Sequence, residues 1–425
     1  MATRQVKICA YTIGVNNLTQ YMAVDMVTVT NNNVPIRVPY ALKLKQLGIS
    51  LAAAPGSGNS WTYEVLKNGS TCGMQIVIQD SGTTGLVEGN VQFGVDDTII
   101  LQRVPSSAPN TAITTVSWVW DMVQANQSAY LTQILNNPTT SLRSSPFGFR
   151  TATTGLHKGP VPIAGNLTKA KYNLSAIPGA SKSISIAIYK NNVIQDGAGG
   201  TPDTRVVIAD SATSGEWSGT LTVAQGDFIE VIPAPTNTPA AVEISCGFGF
   251  TQTTDGESVF SFTPSQINLP TTADTYFNKV NRTDSTAWTT TESAVETTIG
   301  GSGLSFALTK MYWGSNLSVG NNPVARLRKN QADAAPTLTM SGTSGNDTAN
   351  STTYVTGDEV AIRFTNSASP GATSAQFGIA MFAQAQGGKG AGKGNKGGGG
   401  LNILSPSGAN VINYGNPGLD ISNLN

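Results

Sequence analysis

Strand-like segments and turn signals recur in the same order three times along the chain, and this repetition limits the possible folds. The clearest copy spans residues 168–250. It contains Ile184-Ser185-Ile186-Ala187-Ile188-Tyr189, a strict apolar alternation that fits a strand with one buried face. No segment of helical period interrupts this copy. The pattern predicts one complete β-sandwich.

The landmarks of that copy have counterparts on both sides of it. A Lys-Asn turn follows the second strand of each copy, at Lys67-Asn68, Lys190-Asn191 and Lys329-Asn330. A turn containing aspartate precedes the penultimate strand, at 94–97, 226–227 and 357–358. Each pair of residues is a generic turn signal, so the common order carries the inference. We predict an all-β chain of three tandem antiparallel β-sandwich domains.

Each copy closes on an aromatic strand, and the aromatic side chains alternate along it. They are Trp118, Trp120, Phe248, Phe250, Phe377 and Phe382. Aromatic residues at alternating strand positions usually face a core, so we expect core filling rather than a platform on which sugars stack.

The same landmarks divide the chain into predicted segments. These are an N-terminal arm (1–20), β-sandwich 1 (21–120), a linker (121–149), β-sandwich 2 (150–254), a linker (255–285), β-sandwich 3 (286–386), a Gly/Lys-rich tether (387–400) and a C-terminal extended arm (401–425). In the first linker, Met122, Tyr130, Leu131 and Ile134 are spaced like one face of a helix. We therefore expect a short helix there.

Composition limits the partners of such a chain. Charged residues make up 12% of its 425 residues, and 25 Lys and Arg balance 25 Asp and Glu. A chain without a basic surface lacks the phosphate contacts that dominate nucleic-acid affinity, so we expect no nucleic-acid partner. No stretch reaches the ~20 apolar residues of a membrane-spanning helix, and the N-terminus lacks the apolar segment of a secretory signal. We expect no membrane insertion and synthesis in a cytoplasm.

The residues that could carry chemistry are few. His157 is the only histidine, so one chain cannot build a metal site with several histidines. A Ser-His-Asp triad through His157 stays open because triads assemble in space, but no nucleophile-elbow motif accompanies it. The carboxylates of Asp96-Asp97, Asp227 and Asp358-Glu359 are expected to set turn geometry. We predict no enzyme activity, no catalytic residue, no metal site and no cofactor.

Cysteines are three in number and do not occupy equivalent places in the three copies. Cys9, Cys72 and Cys246 therefore do not form a disulfide framework. We expect thiols that pack as small apolar side chains.

Beyond the glycine-rich tether, short apolar clusters return. The candidate assembly residues of this arm are Leu401, Ile403, Leu404, Val411, Ile412, Tyr414, Leu419 and Ile421. An exposed sheet edge offers unpaired amides to such an extended segment, so the arm is predicted to add a strand to a neighbouring subunit or a larger scaffold. The alternative is an arm that packs on its own third domain.

The Lys-Asn turn, the Gly-Asp turn and the closing Gly-Phe-x-Phe strand together resemble the jelly-roll modules of the tumour-necrosis-factor and complement globular-head type. The resemblance is strongest over 168–250, partial over 42–120 and loose over 304–382. Modules of this kind recur in tailed-phage head decorations and fibres. The resemblance implies a jelly-roll fold, a homo-oligomer such as a trimer, and residence on a virion surface.

Two functions follow as expectations. The first is a virion structural protein, a capsid decoration or fibre subunit whose partners are copies of itself and other virion proteins such as the major capsid protein. The second is an adhesin that binds a glycan or receptor through loops 52–60, 197–203 or 342–352. A subunit of an extracellular filament, built by exchange of terminal strands, is a variant of the first. In both cases the fold alone does not specify the activity.

Overall fold

A computed structural model describes most of the first 383 residues of the chain. The described residues are 3–11, 18–22, 24, 33–110, 114–134, 145–146, 159–240, 242–262, 267–269, 275–277, 288–292, 297–299, 303–366 and 374–383. All of them belong to one compact unit, Met1–Ala385, and the other unit, Gln386–Asn425, lies outside the described residues. No helix among the described residues is long and apolar enough to cross a membrane.

The described residues form antiparallel sheets, and they include a short 3-10 turn at Ala198–Gly200. The predicted all-β fold class is therefore confirmed. The six sheets fall in sequence order into three pairs, which we call the first, second and third sandwiches.

The first sandwich is built from nine strands. They are β1 (Arg4–Tyr11), β2 (Gln20–Met22), β3 (Ile36–Arg37), β4 (Leu42–Leu51), β5 (Gly56–Lys67), β6 (Ser70–Asp80), β7 (Thr84–Phe93), β8 (Thr98–Pro105) and β9 (Thr114–Met122). One sheet has the order β1-β9-β4-β7, and the other has the order β2-β8-β5-β6 with β3 beside β8. The predicted N-terminal arm thus supplies an edge strand, because β1 pairs with β9 along its whole length.

The second sandwich repeats this arrangement. Its strands are β10 (Gln127–Ile134), β11 (Ser145–Pro146), β12 (Gly159–Pro160), β13 (Gly165–Leu174), β14 (Gly179–Lys190), β15 (Val193–Ile194), β16 (Val206–Asp210), β17 (Ser214–Val223), β18 (Phe228–Thr236) and β19 (Ile244–Gln252). The order β10-β19-β13-β17 matches that of the first sandwich strand for strand. The facing sheet has the order β11-β18-β14-β15, with β12 beside β18 and β16 beside β14.

The third sandwich completes the series. Its strands are β20 (Glu257–Phe262), β21 (Ile267–Asn268), β22 (Thr275–Phe277), β23 (Trp288–Thr289), β24 (Thr297–Thr298), β25 (Ser305–Val319), β26 (Val324–Lys329), β27 (Ala332–Thr339), β28 (Gly342–Asp347), β29 (Thr352–Val355), β30 (Glu359–Thr365) and β31 (Ser374–Phe382). One sheet has the order β20-β31-β25-β28, and the other has the order β23-β22-β30-β26-β27.

A β-bulge marks the same place in all three sandwiches. The pairing with the closing strand skips one residue at Lys45 in β4, at Thr168 in β13 and at Thr309 in β25. A bulge inserts one residue and bends its strand, so a shared bulge fixes a shared curvature. It also aligns the three sandwiches residue by residue.

The predicted alternation of the second sandwich is present. Ile184, Ile186 and Ile188 are fully buried, and they face the core of that sandwich. Complete burial of an isoleucine side chain contributes about 1.5–3 kcal/mol, so these three positions alone favour one register strongly. Of the six closing-strand aromatics, five are buried in the cores, and Phe382 is half-buried.

The Lys-Asn turn and the aspartate turn meet in each sandwich as one hydrogen-bonded unit, which we call the clasp. In the second sandwich, Asn191 Nδ2 donates to Asp227 Oδ1 at 2.8 Å, and Asn191 Oδ1 accepts from the Phe228 amide at 2.8 Å. Asp227 Oδ2 accepts from the Ala224 amide at 2.8 Å and lies 3.3 Å from Lys190 Nζ. The asparagine has a φ of 52°, a left-handed conformation that asparagine tolerates.

The other two clasps repeat these contacts. Asn68 donates to Asp97 at 2.7 Å, and Asn330 donates to Asp358 at 2.8 Å. Lys67 and Lys329 pair with the same carboxylates at 2.9 and 3.0 Å. The expected role of these aspartates in turn geometry is confirmed, and one motif locks two hairpin ends in every copy.

The helix expected between 121 and 149 is wrong for the described residues of that segment. Residues up to Met122 continue β9, and Gln127–Ile134 is strand β10, paired with β19. Both faces of β10 are buried, with Tyr130 in one core and Ala129 and Leu131 in another. A strand that is buried on both faces has apolar residues on both, so its sequence does not alternate between apolar and polar residues. The spacing of the apolar residues in β10 therefore resembled that of a helical face. The other predicted linker, 255–285, likewise contains β20.

Replacing Asp227 with alanine tests the clasp. The variant loses the acceptor for the Ala224 amide and the Asn191 side chain, and we expect its free energy of unfolding to fall by about 1–3 kcal/mol. Denaturant titration measures the change. Glu88→Ala, which removes an exposed carboxylate bonded to Gln46, is the control and should cost less than about 0.5 kcal/mol. Equal losses in the two variants would show that the clasp does not stabilise the fold.

Candidate functional site

The structure does not describe the residues that the sequence singled out for assembly. The eight apolar residues of the C-terminal arm and His157 lie outside the described residues. The arm hypothesis therefore stays a prediction. The described residues instead bring together the junctions between the three sandwiches, which sequence reasoning did not locate.

Each sandwich contributes apolar side chains to the core of another. The core of the first sandwich includes Ala129 and Leu131 of the second. The core of the second includes Val259 and Ala380 of the third. The core of the third includes Val6, Ile8 and Val119 of the first. The three sandwiches thus close a ring within one chain, in which every sandwich covers its neighbour in the same direction.

The closing strand of each sandwich has two buried faces, and this makes the ring possible. Val119, Gly249 and Ala380 pair with the residues that directly follow the three bulges, so they occupy equivalent positions. Trp118 and Trp120 on either side of Val119 face the core of the first sandwich. Because successive side chains of a strand point to opposite faces, Val119 points outward, where the third sandwich covers it.

Two glycines let the backbones touch at the junctions. At the first junction, between the first and second sandwiches, a Cβ on Gly247 would lie 2.0 Å from the carbonyl oxygen of Arg37. At the second junction, between the second and third sandwiches, a Cβ on Gly378 would lie 2.0 Å from the carbonyl oxygen of Pro160. Gly247 and Gly378 are equivalent by register, and Ser117 holds the corresponding position in β9.

Polar contacts fix the first junction around the Val34–Tyr40 segment. The carbonyl oxygen of Pro35 accepts from Asn173 Nδ2 at 2.9 Å and from Ser245 Oγ at 2.8 Å. The hydroxyl of Tyr40 bonds to the hydroxyls of Thr168 and Thr251, the latter at 3.2 Å. Tyr40 also covers Gly249, where a Cβ would lie 2.9 Å from its ring.

A cluster of four charges spans the same junction. Lys171 Nζ lies 2.6 Å from Asp96 and 2.9 Å from Glu216, and Arg37 bonds to both carboxylates. Lys171 is almost fully buried, whereas the two carboxylates are half-exposed. Two cations and two carboxylates balance, so the cluster carries no net charge at neutral pH.

This cluster changes the acidity of both carboxyl groups. Partial burial raises the pKa of Asp96, but the hydrogen bonds and charges of Lys171 and Arg37 outweigh it and hold the pKa below its usual value. The hydrogen bond and charge of Lys171, with a further contribution from Arg37, lower the pKa of Glu216 against a smaller effect of burial. Both groups are therefore ionised in the folded protein at neutral pH.

The first strands of the three sandwiches meet where the ring closes. Lys7 is buried, its Nζ donates to the carbonyl oxygen of Phe260 at 3.3 Å, and it lies 5.2 Å from the centroid of the Tyr130 ring. The Tyr130 hydroxyl in turn accepts from the Val259 amide at 3.2 Å. Gln5 Oε1 accepts from the Ala129 amide at 2.8 Å. Buried polar groups need such partners, so these bonds fix the alignment of the three strands.

A cleft of about 490 Å³ opens at the second junction. It is lined by residues 191–192 and 225–228 of the second sandwich, and by Tyr312, Trp313 and residues 344–346 of the third. The Tyr312 hydroxyl donates to Gln225 Oε1 at 3.0 Å. Of the three segments predicted as adhesin loops, 342–352 contributes residues 344–346 to this cleft, but these residues lie in strand β28 and not in a loop.

The described residues do not bring together three His, Cys, Asp or Glu side chains in a way that could hold a metal ion. Cys9 and Cys246 are fully buried and Cys72 is half-buried, which confirms thiols that pack as apolar side chains. Burial raises the pKa of Cys246 well above its usual value, so the thiol stays protonated and unreactive.

Sequence reasoning missed the junctions because their residues are far apart in the chain. Asp96 and Lys171, for example, are separated by 75 positions. The one local signal was the Gly-Phe-Gly-Phe pattern of β19. Its glycines alternate with aromatic residues of the core, so the outward face of β19 has no side chains at these positions and a neighbouring sandwich can approach the backbone.

Similarity to known proteins is confined to solved structures. No protein-family model matches the chain, and no curated protein matches it. A solved structure described as the triple jelly-roll fold and turret assembly of an archaeal virus is 12% identical, covering 90% of this chain and 89% of that chain at a TM-score of 0.16. A structure of infectious bursal disease virus Gt strain is 8% identical, covering 90% of this chain and 80% of that chain, also at 0.16.

Substituting the junction glycine tests the ring. In Gly247→Ala the new methyl group must displace the Arg37 carbonyl, and we expect a loss of roughly 1–3 kcal/mol in the free energy of unfolding. Amide hydrogen exchange of residues 36–40 should also accelerate. Gly320→Ala is the control, since a Cβ there meets nothing within 4 Å. Unchanged exchange in Gly247→Ala would contradict the described junction.

The charge cluster predicts a pH dependence. The folded pKa values of Asp96 and Glu216 lie below the unfolded values of about 3.9 and 4.3. Their stabilisation is therefore fully present above those unfolded values and is lost as the pH falls through the folded values. We expect the stability difference between the wild type and Glu216→Gln to be constant above about pH 5 and to shrink below about pH 4.

Thermal unfolding from pH 3 to pH 7 measures this difference. Glu88→Gln, at a carboxylate bonded to the Gln46 amide, should show no comparable trend. A difference for Glu216→Gln that grows on acidification would overturn the assignment of the cluster as stabilising.

Proposed function

We propose that the chain is a non-enzymatic virion structural protein, a decoration or fibre-type subunit on the virion surface that is made in the host cytoplasm. The observation that carries the proposal is the closed ring of three sandwiches, whose cores interlock through Leu131, Val259 and Ile8. Such a ring is a rigid building block with its lateral apolar faces already covered. We include in this proposal that the sandwiches are jelly-roll modules of the tumour-necrosis-factor and complement globular-head type.

The chemistry of the described residues also supports a structural role. The conspicuous carboxylates hold turns, as in Asp97, Asp227 and Asp358, or bind cations across a junction, as in Asp96 and Glu216. Groups that already neutralise or bond one another have little capacity left for acid-base work on a substrate.

One chain contains three sandwiches, whereas a trimer of single modules supplies its three sandwiches from three separate chains. Such a trimer repeats one interface three times, whereas here three different interfaces lie within one polypeptide. We therefore propose that a single chain is the trimer equivalent. Further assembly with copies of the chain, or with other virion proteins such as the major capsid protein, then uses the sheet edges and the C-terminal arm.

The balanced charge of the chain fits this role. With 25 cationic and 25 anionic residues there is no overall repulsion between copies. The same balance supports the expectation that neither nucleic acid nor a membrane is a partner.

Truncation after Gln386 tests the proposal. The shortened chain should fold and remain a single ring, with an unchanged oligomeric state in solution, because the interlocked cores end at Ala383. It should lose its place on the particle, because the arm that adds a strand to a neighbour is missing. Cryo-electron microscopy of particles that carry the full or the shortened chain measures this directly.

A matched control keeps the arm and replaces residues 387–400 with a Gly/Ser linker of equal length, which should preserve attachment. Attachment without the arm would overturn the arm hypothesis while leaving the structural role intact. A full-length chain that is absent from particles would overturn the proposed function itself.

A further inference from the structure

The cleft at the second junction lies where the first junction carries its charge cluster. By register, Tyr312 and Asn346 of the third sandwich correspond to Lys171 and Glu216 of the second. Pro160 corresponds to Arg37, and Gly226, just before the clasp aspartate, corresponds to Asp96. Every charged group of the cluster is thus replaced by an uncharged residue. The exchange leaves open space of about 490 Å³ where the first junction holds its cluster.

The dimensions and position of the cleft are those of a ligand site. Pockets for small molecules commonly have volumes of about 300–1,000 Å³ and lie between packed domains. The walls come from two sandwiches, which the contact between Phe228 and Gly314 holds together. A Cβ on Gly314 would lie 2.2 Å from the Phe228 ring. The walls are therefore in place before a ligand arrives, which lowers the entropic cost of binding.

The uncharged polar groups available in the cleft include the side-chain amides of Asn192, Gln225 and Asn346 and the hydroxyl of Ser344. Asn192, Ser344 and Asn346 are exposed, and their side chains make no hydrogen bond to any other residue in the described part of the chain. Gln225 uses its oxygen to accept from Tyr312 and keeps its Nε2 for a ligand. A side-chain amide offers two donors and one acceptor, which suits a ligand rich in hydroxyl groups.

The charged groups of the cleft are already neutralised. Asp227 bonds to Asn191 and Ala224 and lies 3.3 Å from Lys190, so its charge is compensated inside the clasp. No lysine or arginine of the described residues lines the cleft. An anionic ligand would find no cation to bind, and a cationic ligand would compete with Lys190. The half-buried Phe228 adds an apolar surface against which a ring can lie.

We propose that this cleft binds an uncharged saccharide, with Asn192 and Asn346 as its main hydrogen-bonding residues. This inference goes beyond the structural role proposed above, because it concerns the isolated chain and holds whether or not the chain is fixed to a particle. It also differs from a general adhesin hypothesis by committing to one place, two side chains and one ligand class.

An array of oligosaccharides, probed with the labelled full chain, tests the proposal, and calorimetry then measures affinity for the bound neutral sugar. The double variant Asn192→Gly/Asn346→Ala removes both amides. Glycine suits position 192, where φ is 68°. We expect at least about tenfold weaker binding with an unchanged melting temperature. Gln331→Gly, at the equivalent turn position with a φ of 62°, is the matched control and should bind like the wild type.

Ser344→Arg provides a second, independent variant, because a long charged side chain on this exposed residue fills the cleft without touching a core. It should abolish binding. The proposal is overturned if the wild type binds no neutral oligosaccharide at millimolar concentration, if the array selects sialylated or sulfated sugars, or if both cleft variants bind as tightly as the wild type.

Discussion

The outward face of each closing strand must be covered, and the rest of the molecule is arranged around that requirement. These outward faces carry small residues, such as Ser117, Gly247 and Gly378, at the places where a neighbour approaches closely. Here β9, β19 and β31 each turn one face to their own core and the other to a neighbour. Glycines at 247 and 378 permit the approach at two of the junctions, since the backbones come closer there than any side chain allows.

Much of the fold could be predicted from the sequence, because the features concerned are local. The alternation around Ile186 and the Lys-Asn and aspartate turns are short-range patterns with a direct physical meaning, and they lie where the sequence indicated. Asn191 and Asp227 of the clasp are 36 positions apart in the sequence, but each lies in a turn that the sequence predicts. What could not be predicted was the partner of each outward face. Tyr130 and Leu131 show the reason, because a strand buried on both sides carries no periodic signal of its own.

The candidate sites were less predictable than the fold. The cleft and the charge cluster depend on which loop of one sandwich meets which strand of the next, and no spacing rule encodes that. Lys171 on its own is a lysine in a strand, and only the position of Asp96 beside it explains its burial. The arm at 401–425 is conspicuous in the sequence because apolar residues return there after the glycine-rich tether. A change in composition, however, does not reveal a binding partner.

The ring also dictates an order of events during synthesis. Val6 and Ile8 leave the ribosome first, but the core that covers them needs Phe377 and Ile379, which are made about 370 residues later. At a translation rate of about 5–20 residues per second, these side chains wait on the order of 20–70 s for their partner. The outward side chains of the N-terminal strand therefore lack their final partners during most of synthesis, and a chaperone that kept them from premature pairing would aid ring closure.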